Sequence, residues 1–375
     1  MRRIETLSEG KLAMGIHTTR VRAALLLAGA LLASTFAAPV TAWAKDADTW
    51  KIDGQVRGKP KDKSGKVYEK SNDVSGIACE TKPDYPRLCL IVDDETQGVQ
   101  IIILKKDKLV AGDFIRLTQD SFEGKSLDFD GEGVAYDKGA FYVMGSHGQP
   151  RHPGDSDAET AAKADASRRV FRIHFAPGGV DMSTGTFAKS ATVTPSARFS
   201  DIIRMQPDVA PWADKPLAEN GVSIEGIAVR DGQLYAGMRG PVIEGKGAVI
   251  LSAPLSAVFE NRPGQAGVQF LDLGTDTGGK ARGVRDMLAF GTGLLIVAGP
   301  VNDPPKGQPI KDGDYAIFSS AGPSLQKLMD LKAYGVKDKP EALLPLETHD
   351  GVLRALLFFD GPTEGDPTPI TIKLP

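Results

Sequence analysis

The sequence is poor in the residues that most enzyme chemistry uses. It holds two cysteines and five histidines in 375 residues. Two cysteines alone do not make a closed zinc site, and there is no Cys-x-x-Cys, His-Glu-x-x-His or Gly-x-Ser-x-Gly. The usual redox, zinc-protease and nucleophile-elbow patterns are therefore excluded. Gly124-Lys125-Ser126 imitates the end of a phosphate-binding loop, but Gln119 stands where its first glycine belongs, and no helical pattern follows. A dinucleotide fingerprint is absent too. Positive charge is not in surplus: 45 Lys and Arg face 48 Asp and Glu, a net charge of −3, which gives nucleic acid no basic surface to meet. Past the N-terminal region no apolar run is long enough to cross a bilayer.

That N-terminal region reads as an export signal over residues 1–44. Arg20 and Arg22 precede an apolar run from Ala23 to about Ala33, and Ala42-Trp43-Ala44 supplies a small-x-small cleavage pattern. The run is too short for a membrane span, and the cleavage pattern argues against a retained anchor. Met14 is an alternative start, since the preceding residues add nothing to the signal. The rest, 45–375, reads as one domain.

What the chain has in quantity is turns, with 42 glycines and 25 prolines, and a repeated strand unit. Its clearest copy is Val222 to Val242. A short apolar strand from Ile224 to Val229 is followed by Asp231-Gly232, a second strand from Gln233 to Met238, and an Arg-Gly-Pro break. Asp-Gly between alternating apolar runs marks a hairpin, because both central turn positions need positive φ. Glu225 at the start of this hairpin and Arg239 at its end are expected to lie close. Looser copies begin at Ser75, Glu132, Arg282 and Glu341, each followed by two further strand candidates. The steps are nearly equal except from Glu132 to Glu225, where the polar stretch Gly148 to Ser167 reads as an inserted loop. A fourth apolar stretch stands before each later unit: Phe114 to Leu117, Phe199 to Ile203, Gln269 to Leu273 and Leu328 to Leu331.

Four-stranded units without intervening helices predict an all-β chain folded as a β-propeller of five blades. Six is the alternative count, if Val180 to Val193 hides a worn copy. A sandwich has no reason to repeat so regularly. Trp50 to Val56 is expected beside Ile370 to Leu374, closing the ring with the two ends of the chain. Cys79 and Cys89 end one strand and begin the next, which predicts a disulfide across a hairpin.

A propeller gathers the starts of its inner strands around one mouth of the central channel. Ser75, Glu132, Glu225, Arg282 and Glu341 then converge, with Asp73, Asp130, Arg285 and Asp286 nearby. Several carboxylates at one small opening repel unless a cation joins them. The arginines Arg239, Arg282 and Arg285 meet that need, and so does Ca²⁺ or another divalent cation held by Asp130, Glu132 and Glu225. Asp128 to Glu132 is oxygen-rich and kinked by glycine, without the twelve-residue EF-hand spacing. Arg285-Asp286 reads as an internal ion pair or an anion site. The competing reading makes the repeated carboxylates structural, accepting backbone N–H groups from the next blade. At the ends of second strands stand Ser146, His147, Arg239, Asn302 and Asp303, with Arg151 and His152 just beyond the first two. Ser146 and His147 point to opposite sides of a strand and make a poor dyad, which leaves His147 as a base or ligand in its own right.

The runs SNDVSGIACE, DFDGEGVAYD with FYVMGSH, SIEGIAV with AGMRGPV, RGVRDM and KPEAL resemble the bacterial domain-of-unknown-function family 3616 over most of the chain. More distantly they resemble the esterase-like and phytase-like propellers, which share Glu-Gly-[Ile/Val]-Ala. The resemblance implies an exported propeller, periplasmic or secreted, with a polar site for esters or phosphoesters and for Ca²⁺. The chain departs from the signature in its fifth copy, where Ala342 instead of glycine follows Glu341. On that reading Glu132 and Glu225 hold metal or act as general base, and His147 assists proton transfer. Arg239 and Arg285 grip a small anionic or metal-bridged ligand, and Asp73, Arg282, Asp286 and Glu341 complete the ligand-binding set. The rival expectation is a non-catalytic envelope scaffold whose loops, Gly148 to Ser167 above all, dock a protein or glycan.

Overall fold

Asp231 and Gly232 both take positive φ, 51° and 75°, and turn the strand Ser223–Arg230 back into Gln233–Ile243. Such a turn matches the twist of the strands that it joins. The second strand does not stop at Arg239-Gly240-Pro241 as the sequence predicts. It runs on to Ile243 through a shift of register between Gly237 and Val242. The computed structural model describes residues 50–375 except 62–66, 151–153, 306–307 and 323. The expected leader, Arg151 and His152 lie outside the described residues.

The hairpin is the inner half of one blade in a five-bladed β-propeller. From the channel outward, blade 1 is Val74–Cys79, Arg87–Asp93, Gly98–Leu104 and Lys108–Arg116. Blade 2 is Gly131–Asp137, Ala140–Gly145, Val170–His174 and Thr192–Ser196. Blade 3 adds Gly247–Pro254 and Gly267–Leu271 to its hairpin, and blade 4 is Arg282–Phe290, Gly293–Pro300, Ala316–Ala321 and Ser324–Asp330. Blade 5 has three strands: Lys339–His349, Val352–Asp360 and Thr368–Lys373. Within each blade, successive strands pair antiparallel.

The core is divided among the gaps between blades. One apolar cluster fills each junction: 1–2, 2–3, 3–4, 4–5 and 5–1. A blade buried on both faces needs apolar residues at consecutive positions rather than alternate ones. In Arg87–Asp93, Leu88, Leu90 and Val92 pack toward blade 2, while Cys89 and Ile91 pack toward blade 5. Cys79 and Cys89 are ladder partners and form the expected disulfide.

Several local expectations are overturned. Phe199 to Ile203 is not a strand: it lies in the helix Arg198–Arg204, and Thr192–Ser196 is the outer strand of blade 2. Phe199 and Ile203, four residues apart on one helix face, both bury into the 2–3 cluster. Val180 to Val193 makes no sixth blade; Val180 and Phe187 form a single bridge, and Val193 belongs to blade 2. The inserted stretch holds the helix Asp157–Ser167, capped by the Ser156 side chain, which accepts from Glu159 N.

The two ends of the described chain meet at the junction of blades 5 and 1, where Trp50 N donates to Pro367 O at 3.2 Å. They do not share a sheet. Lys51–Asp53 pairs parallel with Lys108–Arg116, the outer strand of blade 1, instead of joining Ile370 to Leu374. Trp50 and Val56 are buried in the 5–1 cluster, which anchors this segment beside blade 1. Closure rests on that cluster, on an isolated bridge between Asp73 and Asp360, on the backbone bonds of Gly361 N to Asn72 O and Glu364 N to Ser71 O, and on the Arg87 guanidinium, which donates to Pro345 O and Leu346 O.

Candidate functional site

Every inner strand carries the same irregularity. Its ladder slips by one residue at Ser75, Glu132, Glu225, Arg285 and Glu341. A β-bulge leaves one residue unpaired and re-aims its side chain. All five of these residues line one cavity of about 410 Å³. The bulges also correct the alignment of the fourth repeat, because the equivalent of Glu225 there is Arg285 and not Arg282. Arg282 does not line the cavity. Its guanidinium donates to the backbone carbonyls of Asp314, Leu273 and Gly313 at 3.0, 3.0 and 2.6 Å, which makes it a loop fastener.

The glycine after the bulge serves the neighbouring blade. A Cβ on Gly76 would collide with Glu132 O, and one on Gly226 with Met287 N. In blade 4 this place is taken by Asp286, whose carboxylate accepts from Met287 N and, across the junction, from Leu343 N, both at 2.7 Å. Burial pushes its carboxyl up to about 7, against the pull of those two N–H groups. Asp286 is thus neither an ion partner of Arg285 nor a ligand residue. The bulge sends Arg285 into the cavity and leaves Asp286 in the joint.

Residues at the channel-mouth end of the second strands form a further group: Asp94 and Ser146 just past the strand, Arg239 at the register break and Asp360 as the last strand residue all line the cavity. One side of the site is an arginine–carboxylate network. Glu225 takes Arg239 Nη1 at 3.4 Å, as their placement on the hairpin predicts, together with Arg285 Nη2 at 3.6 Å and Ser223 Oγ at 3.1 Å. Arg285 donates through Nε to Glu341 Oε2 at 3.0 Å and through Nη2 to Glu341 Oε1. Arg239 Nη2 reaches Asp303 Oδ1 at 2.6 Å, and Lys339 pairs with Asp360 and lies 3.8 Å from Asp303. Burial would raise the Asp303 carboxyl, but Arg239, Lys339 and Arg285 outweigh it and hold it at about 2. Arg285 is 1% exposed, and its Nη1 has no hydrogen-bond partner among the described residues.

The other side is acidic. Asp94, Asp130 and Glu132 bring one carboxylate oxygen each to within 4.8 Å of one another. Ser146 Oγ donates to Asp130 Oδ2. Burial, reinforced by the charges of Glu132 and Asp130, pushes the Asp94 carboxyl well above the ordinary range. Burial and the Glu95 charge lift Asp128 to about 6. The metal set expected from the sequence is therefore altered: Asp130 and Glu132 stay together, and Asp94 stands where Glu225 was expected, Glu225 being engaged by two guanidinium groups.

Besides Arg282 and Asp286, two more expected residues fall outside the cavity. Asp73 sits at the 5–1 junction opposite Asp360, where burial and the Glu95 and Asp360 charges raise its carboxyl to about 6. His147 is 2% exposed, holds Nδ1 at 2.9 Å from Gly145 O and packs edge-on against Phe199. Burial pushes its pKa down to about 4, and the ring does not line the cavity. Asp94, Lys339 and Asp360 escaped the sequence reading. The signal was available for two of them, since Asp94 and Asp360 stand at the exits of their hairpins as Ser146 and Arg239 do.

Solved structures of similar architecture include three carbohydrate-active proteins. A GH43 endo-arabinanase from Bacillus licheniformis is 9% identical, with 86% of this chain and 95% of that one covered and a TM-score of 0.33. A Trypanosoma rangeli sialidase mutant displaying trans-sialidase activity is 10% identical, with 88% and 58% covered and a TM-score of 0.40. An α-L-arabinofuranosidase from Lactobacillus brevis is 10% identical, with 80% and 90% covered and a TM-score of 0.41. No curated protein matches the sequence. Residues 186–368, which span blades 3 and 4 and most of blade 5, match the family described as "Protein of unknown function (DUF3616)".

Proposed function

We propose that the cavity binds a small anionic ligand and hydrolyses an ester or phosphoester, with Arg285 and Arg239 gripping the anion and Glu132 acting as general base. Arg285 carries this reading. A guanidinium nitrogen withdrawn from water without an acceptor is costly, and an oxygen of a bound anion would complete it. The chain's own carboxylates already satisfy its Nε and Nη2. A volume of about 410 Å³ suits a small molecule. Glu225, tied to Ser223 and two arginines, positions the guanidinium groups, so the base role passes to Glu132. His147 takes no part. The disulfide supports a periplasmic or secreted setting, and no helix among the described residues is long and apolar enough to cross a membrane.

The test is turnover of p-nitrophenyl acetate and p-nitrophenyl phosphate by the chain, by Glu132→Gln and by Arg285→Met. Glu132→Gln should lower kcat at least about 100-fold, and Arg285→Met should raise KM for the charged substrate. Equal kinetics in Glu132→Gln, or no turnover by the unaltered chain, removes the hydrolytic reading. A second reading, a non-catalytic scaffold, is favoured by one observation: Arg285 ties together Glu225 of blade 3 and Glu341 of blade 5, which serves the ring itself.

A further inference from the structure

We infer that Asp94, Asp130 and Glu132 form a calcium-type cation site between blades 1 and 2. The inference deepens the reading above and rests on the same cavity. Three carboxylate oxygens within 4.8 Å of one another can share a single ion. Calcium binds oxygen at about 2.3–2.6 Å, so ligands on opposite sides of it stand up to about 5 Å apart, whereas magnesium draws its ligands closer and demands stricter geometry. The donors are oxygens only, with no imidazole or thiolate among them, which selects a hard cation.

The backbone holds the three groups in place without an ion. Asp130 N donates to Asp94 O at 3.1 Å, Phe129 N to Thr96 O at 2.9 Å and Asp94 N to Asp73 O at 3.2 Å. The turn after the second strand of blade 1 is thereby stitched to the start of blade 2. A separate observation points to a ligand: Asp94 Oδ1 is shut off from solvent and has no hydrogen-bond partner among the described residues. A carboxylate oxygen in that state lacks a positive group, and the cavity's own cations are already engaged. Arg239 and Arg285 hold Glu225, Asp303 and Glu341, and Lys339 holds Asp360. Lys59 and Lys163, the lysines nearest the acidic side, pair with Glu95 and with Asp155 and Glu159. A bound calcium ion would offset two of the three negative charges of this wall and offer its remaining coordination positions to water and to ligand oxygens.

The experiment titrates CaCl₂ into the chelator-stripped chain by calorimetry, with a thermal melt in parallel and no ester present, so that this inference and the hydrolytic reading can fail separately. One saturable site and a rise of Tm with Ca²⁺ are expected. Asp94→Asn and Asp130→Asn should each weaken binding at least about tenfold, because each removes one charged ligand. Asp94→Asn should melt no lower than the unaltered chain in EDTA, since it relieves repulsion, and this separates lost binding from lost folding. Absence of Ca²⁺ binding, unchanged affinity in both variants, or an equal response to Mg²⁺ overturns the assignment.

Discussion

Arg285 of blade 4 holds Glu341 of blade 5 by two hydrogen bonds and stands 3.6 Å from Glu225 of blade 3. Three blades meet at one buried guanidinium. Removing one partner of a buried ion pair strands the others in a poor solvent for charge. Arg285→Met should cost about 3–5 kcal/mol in urea unfolding, and adding Glu341→Gln should recover part of the loss. A cost under about 1 kcal/mol would show that the network does not join the blades.

Gly226 is required by its neighbour and not by its own dihedral angles. A side chain there meets the backbone of Asp286 and Met287, which cannot swing aside as a flexible side chain could. Gly226→Ala should therefore destabilise by about 1–3 kcal/mol or more by forcing blades 3 and 4 apart. Gly232→Ala, with nothing within 4 Å but φ at +75°, should cost about 1 kcal/mol. Chemical denaturation of both variants gives the comparison.

His147 makes stability depend on pH. Its ring has a pKa of about 4 in the folded protein against 6.5 in the open chain. Between these values the unfolded chain takes up a proton that the folded one refuses. Stability from this group is complete above pH 6.5 and is lost as pH falls toward 4, by up to about 3 kcal/mol. His147→Asn, which tolerates the positive φ of 56° and does not titrate, should flatten the profile in that window. Asp286 works in the opposite sense, keeping its proton up to about 7 where the open chain loses it near 3.8, so stability from it declines as pH rises across that range. The comparison of the unaltered chain with His147→Asn isolates the histidine.

The Cys79–Cys89 bridge closes a loop of sequence separation 10 inside blade 1. Replacing both cysteines with alanine should lower stability by roughly 2–3 kcal/mol, the modest effect of a short loop, and leave the ring intact by circular dichroism. A larger loss would mean that the bridge also supports the junction with blade 5, into which Cys89 packs.

Much of this architecture was legible in the repeat. The Glu-Gly pairs of blades 2 and 3 announced the cavity side chains, and the following hairpins announced the sheets; that their glycines make room for the next blade came only with the structure. Blade 4 misled, because its Glu is replaced by Arg285 and its Gly by Asp286. An alignment by spacing then settled on Arg282, since a one-residue slip in a ladder leaves no trace in composition. Phe199 and Ile203 misled in another way: two apolar residues four apart suit a helix face as well as a strand, and the pairing of Thr192–Ser196 with Val170–His174 decided the matter. Asp94 escaped because its partners Asp130 and Glu132 belong to another blade, and only the closed ring places them together.

Four of the five junctions are crossed by the chain as it passes from one sheet to the next. Among the described residues the junction between blades 5 and 1 is not, and no strand is traded over it. The circle is a split washer. Ser75 and Asp94 stand on one side of the split, Glu341 and Asp360 on the other, and all four border the same hollow. Whatever settles there would act as a rivet through the gap, and the tightness of its seating would set how readily the washer springs open.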